Sequence, residues 1–154
     1  ACRSSSRSGW PSAARRWRPD GRVREVTFGA ATLEIRIEEE LAKVPINTLN
    51  DQQVEALFGE FGLQGAELEE ARDAFLDWRD GDDEPRLRGA EAADYAAQGI
   101  RPRNGSLRTN MELAAIPAIG PELALRMDPY ISVFTPTSGR FARANASPLA
   151  RRVM

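Results

Sequence analysis

Residues 45–78 read PINTLNDQQVEALFGEFGLQGAELEEARDAFLDW, and the spacing of their apolar side chains decides the fold. Asn50 stands three residues ahead of Gln53, the arrangement of a capping box, in which side chains satisfy the free N–H groups at a helix start. Val54, Leu57, Phe58 and Phe61 follow at i, i+3, i+4 and i+7, on one side of a 3.6-residue helix. Gly62 and Gly65 interrupt it. A second helix is predicted from about Ala66 to Trp78. Leu68, Ala71, Phe75 and Leu76 form its buried stripe, and Glu67, Glu69, Glu70 and Asp73 are expected to face water.

Outward from this helix pair the pattern changes in both directions. Toward the N-terminus, Leu33, Ile35 and Ile37 alternate with polar residues, the period of a half-buried strand, and Gly29 between this run and Val26-Thr27-Phe28 predicts a hairpin. Toward the C-terminus, a short helical piece is expected around Glu91–Ala97, followed by irregular chain over Gly99–Gly105. Thr109-Asn110-Met111-Glu112 is another capping box, opening a helix that carries Leu113 and Ile116 and stops at Pro117. Gly120-Pro121 starts a further helix with Leu123, Ala124 and Met127 on its apolar side. Tyr130–Phe134 reads as a strand and Ser147-Pro148 as a last helix start.

Strands, a block of helices and strands again define an α+β chain in which a small antiparallel sheet is interrupted by an inserted helical domain. The expected boundaries are a poorly ordered or context-dependent arm over 1–22, a β portion over 23–44 and 129–146, an α-helical insertion over 45–128, and the start of a second helical portion over 147–154. Asn47 and Asn145 each lie shortly before a helix start. They read either as a repeated strand-Asn-helix junction or as the ordinary use of Asn near caps.

Composition narrows the chemistry. The 154 residues are 42% hydrophobic and 29% charged with a net charge of −2, the profile of a folding domain. Arg3, Arg7, Arg15, Arg16, Arg18 and Arg22 crowd the start against Asp20 alone, while acids dominate from Glu67 to Asp94. There is no histidine, which removes Ser-His and Cys-His nucleophiles and the commonest zinc and copper ligand. The single cysteine, Cys2, excludes an internal disulfide. No apolar run approaches the roughly 18 residues of a membrane span, and no secretory h-region is present.

The acids peak in DWRDGDDEPRLRGAE, residues 77–91, directly after the second helix. Like charges repel, so such a cluster weakens a fold unless something neutralises it. Calcium takes six to eight oxygen ligands, and the helix-loop-helix calcium site places acids at loop positions one, three, five and twelve. With Asp80 as one, Asp82 is three, Glu84 is five and Glu91 is twelve. Position six, which needs Gly in that motif, is Pro85, and positions seven and nine are Arg86 and Arg88. A true EF-hand is therefore rejected. Two readings stay open: an oxygen-rich hard-cation site, or a solvated loop paired with Arg79, Arg86 and Arg88.

Two other functional classes leave traces in the residues. Leu113–Ala124 looks like a helix-hairpin-helix, a DNA-binding hairpin whose Gly-x-Gly turn offers N–H groups to phosphate. Ala118 stands where the first Gly belongs, Glu122 adds negative charge, and only Arg126 is near. A glycosidase would need two carboxylates flanking a sugar, and no aromatic-lined cleft is evident for one.

Taken in order, WRPDGRVREVTFG, INTLNDQQVEALF, FLDWRDGDDEPRLRGAEAADY, RPRNGSLRTNMELAAIPAIGPE and DPYISVF resemble the general secretion pathway protein K family, the large minor pseudopilins of type II secretion. The resemblance covers roughly Trp17 to Asn145. Its most specific part is the Asp-Trp-x-Asp-x-Asp-Asp/Glu element running to Gly-Ala-Glu, followed by Pro-Arg-Asn-Gly. It implies a pilin-like sheet interrupted by a sterile-alpha-motif-like or helix-hairpin-helix-like domain, with calcium held by acidic loops. It also implies a non-catalytic role at the tip of the periplasmic pseudopilus beside the I and J subunits. Asp80, Asp82 and Glu91 are the implied calcium ligands, with Asp83 and Glu84 behind them and Asp77 as a helix-end residue. Family members begin with a prepilin-peptidase site and a hydrophobic helix in the inner membrane. This chain instead starts at Ala1 and stops at Met154, where a second helical portion would begin, as expected of an internal fragment or a truncated gene product.

Overall fold

The computed structural model describes residues 17–134 and 140–154. Most of the arm read over 1–22 and part of the β portion read over 129–146 lie outside the described residues. The chain divides into two compact units, the first ending at Glu38 and the second running from Glu39 to Met154.

In the first unit, β1 (Asp20–Phe28) and β2 (Ala31–Glu38) form an antiparallel hairpin. Gly29 has φ 62°, the positive value that a two-residue turn needs at its first central position. The register sets Val26 opposite Leu33, Arg24 opposite Ile35 and Phe28 opposite Ala31, so the apolar residues share one face as the period-two reading requires. Arg24 donates to Asp20 Oδ1 at 2.7 Å and lies 6.0 Å from the centre of the Trp17 ring.

The second unit holds the core. After the two-residue strand β3 (Val44–Pro45), helix α1 (Asp51–Glu60) opens with the expected box: Gln53 N–H donates to Asn50 Oδ1 at 2.9 Å, and Asn50 N–H to Gln53 Oε1 at 3.1 Å. Val54, Leu57 and Phe58 are fully buried. Helix α2 (Gly65–Arg79) crosses it, with Phe75 edge-on to Phe58 at 5.9 Å. Arg79, at the end of α2, donates to the carbonyls of Ile46 and Leu49 at 3.0 and 2.8 Å and so ties that end to the chain leading into α1. Then come the short α3 (Ala92–Tyr95), α4 (Gly120–Met127), β4 (Ile131–Ser132) and α5 (Pro148–Val153). Ser147 caps α5 through Ala150 N–H, and Arg152 pairs with Glu60 of α1.

The mixed helix-and-sheet class is present, but its strands form two separate ladders. β4 pairs with β3 in parallel, Val44 opposite Ile131, and the hairpin stands as a ladder of its own. The strand expected over Tyr130–Phe134 is limited to Ile131–Ser132, because Asp128–Tyr130 forms a 3-10 turn before it and Ser132 Oγ accepts from Phe134 N–H after it. The helix expected after Thr109 takes the tighter 3-10 form over Asn110–Ala115 and ends before Pro117, as short pieces of this kind often do. Asn47 fastens the ladder to the neighbouring loop. Its amide donates to the carbonyls of Leu107 and Val133 at 2.9 and 3.0 Å, and its oxygen accepts from Leu107 N–H at 2.8 Å.

Candidate metal centre

The last turns of α2 present Asp73, Asp77 and Asp80 at i, i+4 and i+7, on one face of the helix. Carboxylates are unfavourable at a helix C-terminus, where the carbonyl ends are already negative. The loop that follows supplies the compensation. Arg86 turns back so that its N–H donates to Asp77 Oδ2 at 3.0 Å, while its Nη1 lies 2.6 Å from both Asp77 Oδ1 and Asp80 Oδ2. Asp77 is in the last turn of α2, the helix-end residue expected, and it is also a fully buried ion-pair partner. Asp73 is a correction. Expected to face water, it is 4% exposed and accepts from the Arg72 guanidinium and from Arg88 N–H.

Gly89 fixes how closely the loop can lie against α2. A Cβ there would stand 1.7 Å from Asp77 Oδ2, so only glycine permits this approach. The chain then reaches Glu91 at the N-terminus of α3, where Glu91 N–H donates to Asp94 Oδ2 at 2.9 Å. Tyr95, one turn on, meets Trp78 of α2 edge-on at 5.9 Å, and both rings are buried.

This backbone path brings three of the expected acids together. One carboxylate oxygen from each of Asp80, Asp82 and Glu91 lies within 4.8 Å of the others. Glu91 is 3% exposed, and neither of its oxygens has a hydrogen-bond partner; Asp80 Oδ1 is buried and equally without one. Burial, and next the nearby charges of Asp77, Asp80, Asp83 and Asp82, push the Glu91 carboxyl up to about 7. Buried polar atoms in native proteins nearly always find partners, so three unsatisfied carboxylate oxygens on Asp80 and Glu91, two members of this acidic group, mark it as a candidate cation site. All three donors are hard oxygens without nitrogen or sulfur, the set that suits calcium or magnesium over zinc or copper.

The other candidates are placed differently. Asp83 accepts from the Asn104 amide at 3.0 Å, and Glu84 contributes its N–H to Asp82 Oδ1 at 3.0 Å while its side chain stays exposed. Of the three arginines in the solvated-loop reading, only Arg86 is directed at an acid of the loop. Arg79 serves carbonyls, and Arg88 pairs with Glu69 of α2 at 2.7 Å. Sequence reasoning named Arg86 as a partner for the acidic loop, and the structure pairs it with Asp80; what it missed is that Arg86 also binds the buried Asp77 of α2.

The hairpin from Asn110–Ala115 into α4 does not favour nucleic acid. The groove beside its turn is lined by Glu67, Glu70 and Glu122, and Arg126 spends a donor on the Phe61 carbonyl at 2.9 Å. Acids there repel phosphate.

Against this geometry, comparison with known proteins is informative. The family described as Type II secretion system (T2SS), protein K, matches residues 35–136, well over half of the chain. Among solved structures, the chain is similar to one chain of the crystal structure of the GspK-GspI-GspJ complex from the enterotoxigenic Escherichia coli type 2 secretion system. The TM-score is 0.67 at 14% identity, over 85% of this chain and 51% of that one. The likeness is one of fold, and the chain spans about half the length of that relative. No curated protein sequence matches.

Proposed function

The chain belongs to the type II secretion system protein K family, and from that premise we propose that it is the core of a non-catalytic minor pseudopilin whose acidic loop is held by calcium. The fold it shares with the GspK-GspI-GspJ structure supports a place at the pseudopilus tip with I and J subunits, in the periplasm, with the full-length protein anchored in the inner membrane. No helix among the described residues is long and apolar enough to cross a membrane. The helical block between β3 and β4 fits a sterile-alpha-motif-like insertion.

One observation carries the calcium reading. Glu91 is buried with both oxygens unsatisfied, beside Asp80 and Asp82. Calcium would supply the positive charge that draws these carboxylates together, fastening α3 to the end of α2. The side chains that would hold it are those of Asp80, Asp82 and Glu91. Isothermal calorimetry with calcium, paired with thermal melts in chelator, tests this: saturable heat and a raised melting temperature are expected, and neither would be seen if the loop were merely solvated. Co-purification of the chain with I and J subunits tests the assembly role, and failure to associate in calcium would remove it.

A further inference from the structure

The hairpin that fails as a phosphate site leaves beside it a groove with no assigned role. Its walls come from two parts of the second unit. The start of α2 and the turn before it supply Leu63, Glu67 and Glu70, and the turn into α4 supplies Ile119, Glu122 and Leu123. The groove holds about 410 Å³, within the roughly 300–1,000 Å³ of ligand pockets. Its floor is apolar: Leu63 packs, partly buried, against the core cluster that includes Ile119 and Leu123.

The acids around that floor are exposed and unanswered. Glu67 and Glu70 stand three residues apart on one face of α2, where like charges repel, and Glu122 lines the groove from α4. Among the described residues, none of the three carboxylates has an ion pair or a hydrogen bond. Arg126, one turn after Glu122 on α4, has the spacing for such a pair. It turns instead to Phe61, donating to the carbonyl at 2.9 Å with its guanidinium 5.8 Å from the ring centre. Helix dipoles account for part of the pattern, since Glu67 and Glu122 lie in first turns, where negative charge is favourable. Glu70 lies beyond the first turn of α2 and gains nothing of the kind. A single metal ion does not answer these charges either: among the described residues, the acids whose oxygens converge within 4.8 Å are Asp80, Asp82 and Glu91. Acids spread around an apolar floor fit cations that are spread in the same way.

We propose that this groove is a docking site for a short basic segment of another protein. Lys or Arg side chains of that segment meet Glu67, Glu70 and Glu122, and an apolar side chain between them seats on Leu63, Ile119 and Leu123. The floor provides area to remove from water, and the acids set the charge of the partner and reject acidic segments. The docking does not depend on calcium.

The test is fluorescence anisotropy of a labelled Arg-Leu-Lys-Leu-Arg peptide titrated with the whole 154-residue chain at roughly 0.15 M salt. Saturable binding that weakens as salt rises is expected. Two variants that remove the same number of exposed acids separate the groove from general attraction. One combines Glu67→Gln, Glu70→Gln and Glu122→Gln, and the other combines Glu25→Gln, Glu34→Gln and Glu84→Gln. The first is expected to bind about tenfold more weakly or worse, and the second to match the parent. No saturable binding by the parent, unchanged affinity in the first variant, or equal losses in both overturns the proposal. A peptide with Ser in place of both Leu residues tests the floor without altering the protein: several-fold weaker binding is expected, and equal affinity overturns the apolar seat. Circular dichroism checks each fold. Should the groove variant lose the native spectrum, the Ser peptide decides alone.

Discussion

Arg86 Nη1 lies 2.6 Å from Oδ1 of Asp77, a carboxylate with no solvent exposure, and the N–H of the same Arg86 reaches its other oxygen at 3.0 Å. One residue thus satisfies both oxygens of a buried charge, with its side chain and its backbone. The loop owes its path to that pair.

Removing the cation strands the anion. Arg86→Met is expected to destabilise the chain by about 3–5 kcal/mol, because an uncompensated buried carboxylate remains. Pairing it with Asp77→Leu should recover much of the loss. Urea denaturation of both variants measures this, and a double variant as unstable as the single one would show that the loop depends on other contacts.

Gly89→Ala drives a methyl group to 1.7 Å from Asp77 Oδ2, so either the loop or the carboxylate has to move. A cost of about 2–4 kcal/mol is expected from the resulting strain and the weakened ion pair. Because the loop carries Asp82 and leads to Glu91, calcium affinity should fall with stability in the same variant. A thermal melt within one degree or so of the parent would contradict the close approach.

Glu91 sets a pH dependence with a definite sign. Its carboxyl titrates near 7 in the folded ion-free chain, against an ordinary value of 4.5, chiefly through burial. Between those values the folded chain holds a proton that the unfolded chain has released, so ion-free stability falls as pH rises through this window. Calcium requires the ionised form and should offset the fall at the upper end. Glu91→Gln should flatten the ion-free profile and abolish stabilisation by calcium. Melting curves from about pH 5 to 8, with calcium and with chelator, check both halves.

Asn47 joins three segments through three hydrogen bonds. Asn47→Ala leaves the Leu107 N–H and carbonyl without this partner in a partly buried setting, at an expected cost of about 1–3 kcal/mol. Hydrogen exchange at the Leu107 amide should quicken more than exchange within α1. Equal change in both would indicate global loosening instead.

The two long helices were legible because periodicity and capping are local: Asn50, Gln53, Val54, Leu57 and Phe58 act within two turns of one another. The grouping of Asp80, Asp82 and Glu91 was named through the family resemblance, whereas spacing alone offered Glu84 beside them, and Glu84 is not in the group. Asp73 was misplaced for the opposite reason. A helical pattern treats an aspartate opposite the apolar stripe as solvent-facing, whereas the burial of Asp73 depends on Arg72 and on the Arg88 N–H, which arrives from the following loop. The extent of β4 was equally hidden, because its partner β3 lies on the far side of all the intervening helices.

The β3–β4 ladder carries a kinetic consequence. Val44 and Ile131 are 87 positions apart (131 − 44), yet the ladder comprises only two residue pairs. Bringing such distant points together costs more loop-closure entropy than two pairs return. The ladder is therefore a late seal on a block of helices that has already condensed. In the native state it is also where transient opening should begin, ahead of any melting of α1 or α2.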